Sequence, residues 1–148
     1  MLESLKMIIA KKIIYQNELK KVIKKASDYE IIQNSIVNLP LLIEKVTEGI
    51  DKNKILPENC SIIISAISYV FNPFDIIPED KYGLLGYLDD CYIFYKIVSE
   101  NIPVSYLNKI KYPLTTLNIY SKICYKYIPS QYKKQIDDII ISLNQINK

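Results

Sequence analysis

Residues 57–98 read PENCSIIISAISYVFNPFDIIPEDKYGLLGYLDDCYIFYKIV, and this stretch decides the fold. Pro57 followed by Glu58 opens a helix, because proline loses nothing at the first helical position and an acid suits the positive end of the dipole. The run from there to Phe71 is apolar on nearly every side and is expected to be buried. Pro73 and Pro78, five residues apart, forbid a regular helix and impose extended or turn geometry on the residues before them. A second helix is expected from about Leu84, carrying Leu84, Leu85, Leu88, Cys91, Tyr92, Tyr95 and Val98. The stretch is therefore a helical hairpin around a proline-rich, acidic turn.

The flanks extend the helical pattern. Leu2, Leu5, Ile8, Ile9, Ile13, Leu19, Val22, Ile23 and Ala26 recur at roughly helical spacing with lysines on the other face. Asp28 is a candidate N-cap for a helix holding Ile31, Ile32, Ile36 and Val37, which Pro40 either kinks or restarts into Leu41, Leu42, Val46 and Ile50. Three shorter helices follow, punctuated by Pro103, Pro113 and Pro129, the last running from Ser130 to Asn147 with Ile136, Ile139, Ile140, Leu143 and Ile146 along one stripe. Ser105-Tyr106 and Ile119-Tyr120 have β-favouring residues, but no alternating run is long enough for a sheet. The expected fold is an all-α, compact bundle of about five to seven helices, a single helical domain over residues 1–148 with the hairpin at 61–98 as its core.

At 148 residues, 49% hydrophobic and 24% charged, with 3 Gly and 7 Pro, the chain is long and apolar enough to bury a core without disulfides or a structural metal. It has no His, no Trp and no Arg, so its 19 positive charges are all Lys. That removes a histidine base, a Ser-His or Cys-His nucleophile pair, a His-ligated zinc and an arginine phosphate clamp. No catalytic residue is assigned. The net charge of +3 conceals a basic, acidic, basic order, expected to neutralise itself by packing. Residues 1–25 hold seven Lys against Glu3 and Glu18, residues 56–107 two Lys against seven acids, and residues 108–148 seven Lys against Asp137 and Asp138. Nucleic acid is disfavoured as a partner by the missing arginine. Cys60, Cys91 and Cys124 match no metal-ligand spacing and read as small hydrophobes of a reducing cytosol. The start of the chain does not resemble a secretory signal, and Cys60 to Phe71 is too short to cross a bilayer unaided. The expected location is cytoplasmic, with membrane association as the alternative.

Asp75, Glu79, Asp80, Asp89 and Asp90 crowd into residues 72–90 among apolar groups, where carboxylates need hydrogen bonds, charge partners or a metal. In the architectural account, Asp75 accepts backbone N–H bonds of the turn, Gly83 and Gly86 permit close helix approach, and Asp89 and Asp90 sit near a helix start. In the functional account, Asp75, Glu79, Asp89 and Asp90 converge on an oxygen-only site suited to Mg2+, Mn2+ or Ca2+. The architectural account is preferred, with no cofactor expected.

The stretch resembles the YkvA-like family, small helical proteins and domains of unknown function. The resemblance rests on Tyr69 at a helix end, on Pro73, Asp75, Ile77, Pro78 and Glu79, and on Gly86, Leu88, Asp89 and Asp90, within roughly Ser61 to Val98. The chain departs from many members in having Glu79 after the second proline and seven residues between Pro78 and Gly86. Members are often labelled membrane-associated and the domain occurs fused to other modules, which implies an interaction or scaffold role. The function expected is a non-enzymatic helical protein that binds a protein partner, of which an immunity or defence-associated accessory is one form. The alternatives are a peripheral or hairpin-inserted membrane protein and a carboxylate-cluster metal-binding protein or hydrolase.

Overall fold

A computed structural model describes residues 2–7, 20, 22–72, 76–77 and 86–146. Six helices span Ala26–Asp51 (α1), Pro57–Val70 (α2), Leu88–Asn101 (α3), Val104–Lys109 (α4), Leu114–Tyr127 (α5) and Ser130–Asn144 (α6). Residues 2–7 are also helical, and Lys6 Nζ ties them to α1 through Glu44 Oε2 at 2.7 Å. Among the described residues there is no strand, and Tyr106 and Ile119-Tyr120 lie in α4 and α5. The all-α bundle expected from the hydrophobic spacing is the observed architecture.

Helix α1 runs unbroken for 26 residues through Pro40. An interior proline costs about 3 kcal/mol through a lost hydrogen bond and a ring clash. Against that, Ile32, Ile36, Leu39, Leu42 and Val46 are each 0% exposed, and burying each such side chain contributes about 1.5–3 kcal/mol. Packing therefore outweighs the break, and the helix does not restart. It begins earlier than the sequence suggested. Its N-cap is Lys25, and Asp28 lies in the first turn, where its carboxylate is taken by α5 rather than by the helix's own amides. At its other end Lys54 N–H bonds Gly49 O at 2.8 Å and Asn53 N–H bonds Ile50 O at 3.1 Å, with Asn53 at φ 56°. That is a Schellman closure, and asparagine tolerates its left-handed position.

Helix α2 starts at Pro57 and ends at Val70, as its sequence signals indicate. It is not buried all round: Ile62, Ile63, Ala66 and Val70 face inward, whereas Ser61, Ile64 and Ser68 are exposed. Neighbouring helices cover one side of it only. Helix α3 is central. Nine of its 14 residues are buried, and it packs most extensively on α5, then on α2, with further contact to α1 and α6. Pro103, Pro113 and Pro129 are the N-caps of α4, α5 and α6, so each proline marks a helix start. On α6, Ile136, Ile140 and Leu143 are buried, while Ile146 lies past the helix end and is 44% exposed. Among the described residues, no helix is long and apolar enough to cross a membrane.

Candidate functional site

The acidic hairpin meets the bundle at the start of α3. Gly86 and Tyr87 form a short 3-10 turn that delivers Leu88, Asp89 and Asp90 as the first turn of the helix. Gly86 is buried there. Asp89 is 0% and Asp90 1% exposed, a costly placement for carboxylates. Two features offset it. The helix N-terminus favours negative charge, and Tyr69 Oη, one residue before the end of α2, donates to Asp89 Oδ2 at 2.7 Å. A hydrogen bond from a phenol to an ionised acid is strong in a low-dielectric setting. It clasps the end of one hairpin helix to the start of the next.

Of the residues singled out in the sequence, Asp89, Asp90 and Gly86 are thus placed together. Asp75, Glu79, Pro73, Pro78 and Gly83 lie outside the described residues. Among the described residues, no group of three or more His, Cys, Asp or Glu is arranged to hold a metal ion.

A second polar group lies further along α3 and was not anticipated. Cys91 and Tyr95, one turn apart, both reach the backbone of Ser35 on α1. The Tyr95 hydroxyl donates to the Ser35 carbonyl, and Cys91 Sγ approaches the same oxygen at 3.7 Å. Ser35 Oγ donates to Ile32 O at 2.8 Å and meets Cys124 Sγ of α5 at 3.2 Å. Ser35 is thereby the point where α1, α3 and α5 join. Its carbonyl is one residue before that of Ile36, which Pro40 deprives of its ladder donor. Burial pushes the Cys91 thiol well above its ordinary value, with the Cys124 thiol and the charges of Asp90 and Asp89 adding to the effect. Burial does the same to the Tyr95 phenol. Both groups stay protonated and act as donors, so this thiol is a structural one and not a nucleophile. The two core cysteines are buried and unbridged, and Cys60 is partly exposed.

Fold and site together define a small helical bundle with two buried aspartates at the start of its central helix. Residues 61–95 match a family model described as a protein of unknown function, DUF1232. The chain is also similar to the E3 ubiquitin-protein ligase RNF170 of Xenopus tropicalis, with 42% identity over 36 residues. That similarity covers 24% of this chain and 14% of the ligase. No solved structure matches the chain.

Proposed function

We propose that the chain is a non-enzymatic helical interaction protein, YkvA-like in its hairpin, that binds a protein partner. The observation that carries this is the burial of Asp89 and Asp90 with Tyr69 bonded to Asp89. Asp89 is engaged in holding α2 to α3, which is what a scaffold requires and what a solvent-facing catalytic acid does not. The absence of His and Arg points the same way. The segment shared with the ubiquitin-protein ligase is 14% of that protein, which suits a module carried alongside other activities.

Affinity capture from the native host with the full chain, in parallel with turnover assays on phosphoesters and nucleotides and titration with Mg2+, Mn2+ and Ca2+, tests the reading. The expected result is a specific protein partner, no turnover and no heat from the cations. Asp89→Asn and Tyr69→Phe then lower the melting temperature. Turnover that Asp89→Asn abolishes with the melting temperature unchanged overturns the proposal in favour of a carboxylate-based enzyme.

A further inference from the structure

One end of the bundle gathers lysines from α5, α6 and the residues just before α1. Lys126 Nζ, at the end of α5, reaches Asp28 Oδ2 in the first turn of α1 at 2.8 Å and so brings the two helix ends together. Lys25 adds its charge beside the same carboxylate. Lys20 Nζ lies 5.6 Å from the centroid of the Tyr29 ring, and Lys133 Nζ of α6 lies 4.9 Å from that of Tyr125. Lys24, Lys122 and Lys134 adjoin these residues and are exposed. Seven lysines therefore share this end with four acids, Asp28, Glu30, Asp137 and Asp138. Two of the acids are already engaged, Asp28 by Lys126 and Tyr127 and Asp137 by Tyr125. The N-termini of α1 and α6 add the positive ends of two helix dipoles, against the one negative end of α5. Val22, between Lys20 and Lys24, is 51% exposed. The far end of α1, ~39 Å away at 1.5 Å per residue, has mixed charge: Glu48, Asp51, Lys52, Lys54 and Glu58.

We propose that this lysine end docks onto the surface of a bilayer rich in anionic phospholipid, with the N-terminus of α1 towards the headgroups. A bilayer asks for positive charge density on an outward-facing end and for apolar side chains at headgroup depth. The lysines and Val22 meet both requirements. Nucleic acid fits less well. Lysine lacks the planar fork that reads phosphate or guanine bidentately. The aromatic faces that would stack bases already carry cations, Lys20 on Tyr29, Lys126 on Tyr127 and Lys133 on Tyr125. Docking here is electrostatic and reversible and requires no insertion of the hairpin.

Cosedimentation of the full chain with phosphatidylcholine vesicles, with and without phosphatidylserine, tests this. Binding is expected only with phosphatidylserine and falls as salt is added. Each lysine removed is expected to weaken it roughly fivefold, the factor that corresponds to about 1 kcal/mol per surface lysine. The triple change Lys24→Gln, Lys122→Gln and Lys134→Gln, which leaves the Asp28 pair intact, should therefore cost about a hundredfold. Lys52→Gln with Lys54→Gln at the far end should cost nothing, and thermal melts verify that both variants are folded. The proposal is overturned by no binding at low salt, by equal binding to phosphatidylcholine alone, or by an equal loss from the far-end variant. A labelled single-stranded oligonucleotide bound more tightly than the vesicles, and released by the same triple change, would assign the surface to nucleic acid instead.

Discussion

Asp28 is 3% exposed, with Lys126 Nζ at 2.8 Å and Tyr127 Oη at 2.7 Å on one carboxylate oxygen. The hydrogen bonds from Lys126 and then Tyr127 hold its carboxyl below the ordinary aspartate value. The folded state therefore takes up a proton on Asp28 less readily than the unfolded chain does. Its stabilising contribution is complete above the ordinary aspartate value, about 4, and is lost as pH falls through the depressed folded value. In the alkaline range the same contacts act in reverse. Asp28 raises both Lys126 and Tyr127, so their contribution is present below their ordinary values and lost as pH rises through the folded ones. Asp28→Asn is expected to lower the melting temperature at neutral pH and to flatten its fall in acid, a difference that thermal melts across the acid range measure directly. Lys111 presents a backbone case. It has φ 66° at the end of α4, where Tyr112 N–H bonds Leu107 O at 3.0 Å and Lys111 N–H bonds Asn108 O at 3.1 Å. This closure repeats the one after α1, but with a lysine where Asn53 stands in the other. The left-handed position costs an L side chain about 1–2 kcal/mol, partly offset by the extra unfolded-state freedom of glycine. Lys111→Gly should therefore stabilise the protein by about 0.5–1 kcal/mol in urea unfolding, with the slope unchanged.

At the scale of elements, what was legible depended on whether the signal was local. Pro57, Pro103, Pro113 and Pro129 mark the starts of α2, α4, α5 and α6 to within a residue, because proline fixes φ and lacks the N–H that a first turn does not use. Asp28 sits equally near a helix start, yet its partners Lys126 and Tyr127 are 98 and 99 residues away, and no local pattern carries that information. The exposed side of α2 was hidden for a related reason: composition states how apolar a helix is, not how many neighbours cover it. In the candidate site, Asp89, Asp90 and Gly86 could be picked out from their crowding among apolar residues. Tyr69 as the donor to Asp89 is a contact across 20 residues that only the hairpin's closure creates. The Ser35 junction is more remote still. Tyr95 is 0% exposed and its hydroxyl donates to a carbonyl 60 residues away. Tyr95→Phe keeps the ring and removes the hydroxyl that joins α3 to α1, leaving the Ser35 carbonyl its helical donor and the weak Cys91 thiol. Losing one hydrogen bond from an acceptor that keeps its helical partner costs about 0.5–1.5 kcal/mol. The variant's urea midpoint should fall by the corresponding amount, whereas an unchanged midpoint would show that the junction contributes nothing.

For the molecule as a whole, the long-range ion pairs among the described residues tie outer segments to α1. The ion pairs seen join α5 to α1 through Lys126 and Asp28 and residues 2–7 to α1 through Lys6 and Glu44, while Asp89 and Asp90 go inside the bundle. Cohesion between the outer helices and the hairpin therefore rests on α3, which touches α1, α2, α5 and α6. Phe94 is 0% exposed on that helix and lies beside Tyr95, with ring centroids 6.4 Å apart. Phe94→Ala removes a buried ring at the common contact and should cost about 3–5 kcal/mol, a large part of the roughly 5–15 kcal/mol that holds a domain folded. Ile119→Ser, at a position 48% exposed on α5, should change stability by no more than about 0.5 kcal/mol. If α3 couples the helices into one cooperative unit, far-ultraviolet dichroism and the fluorescence of the 13 tyrosines will report the same transition in the wild type. In Phe94→Ala both signals will then shift together to a lower midpoint. Two separated transitions would instead show that the hairpin and the C-terminal helices unfold independently, and that residues 1–148 do not act as one domain.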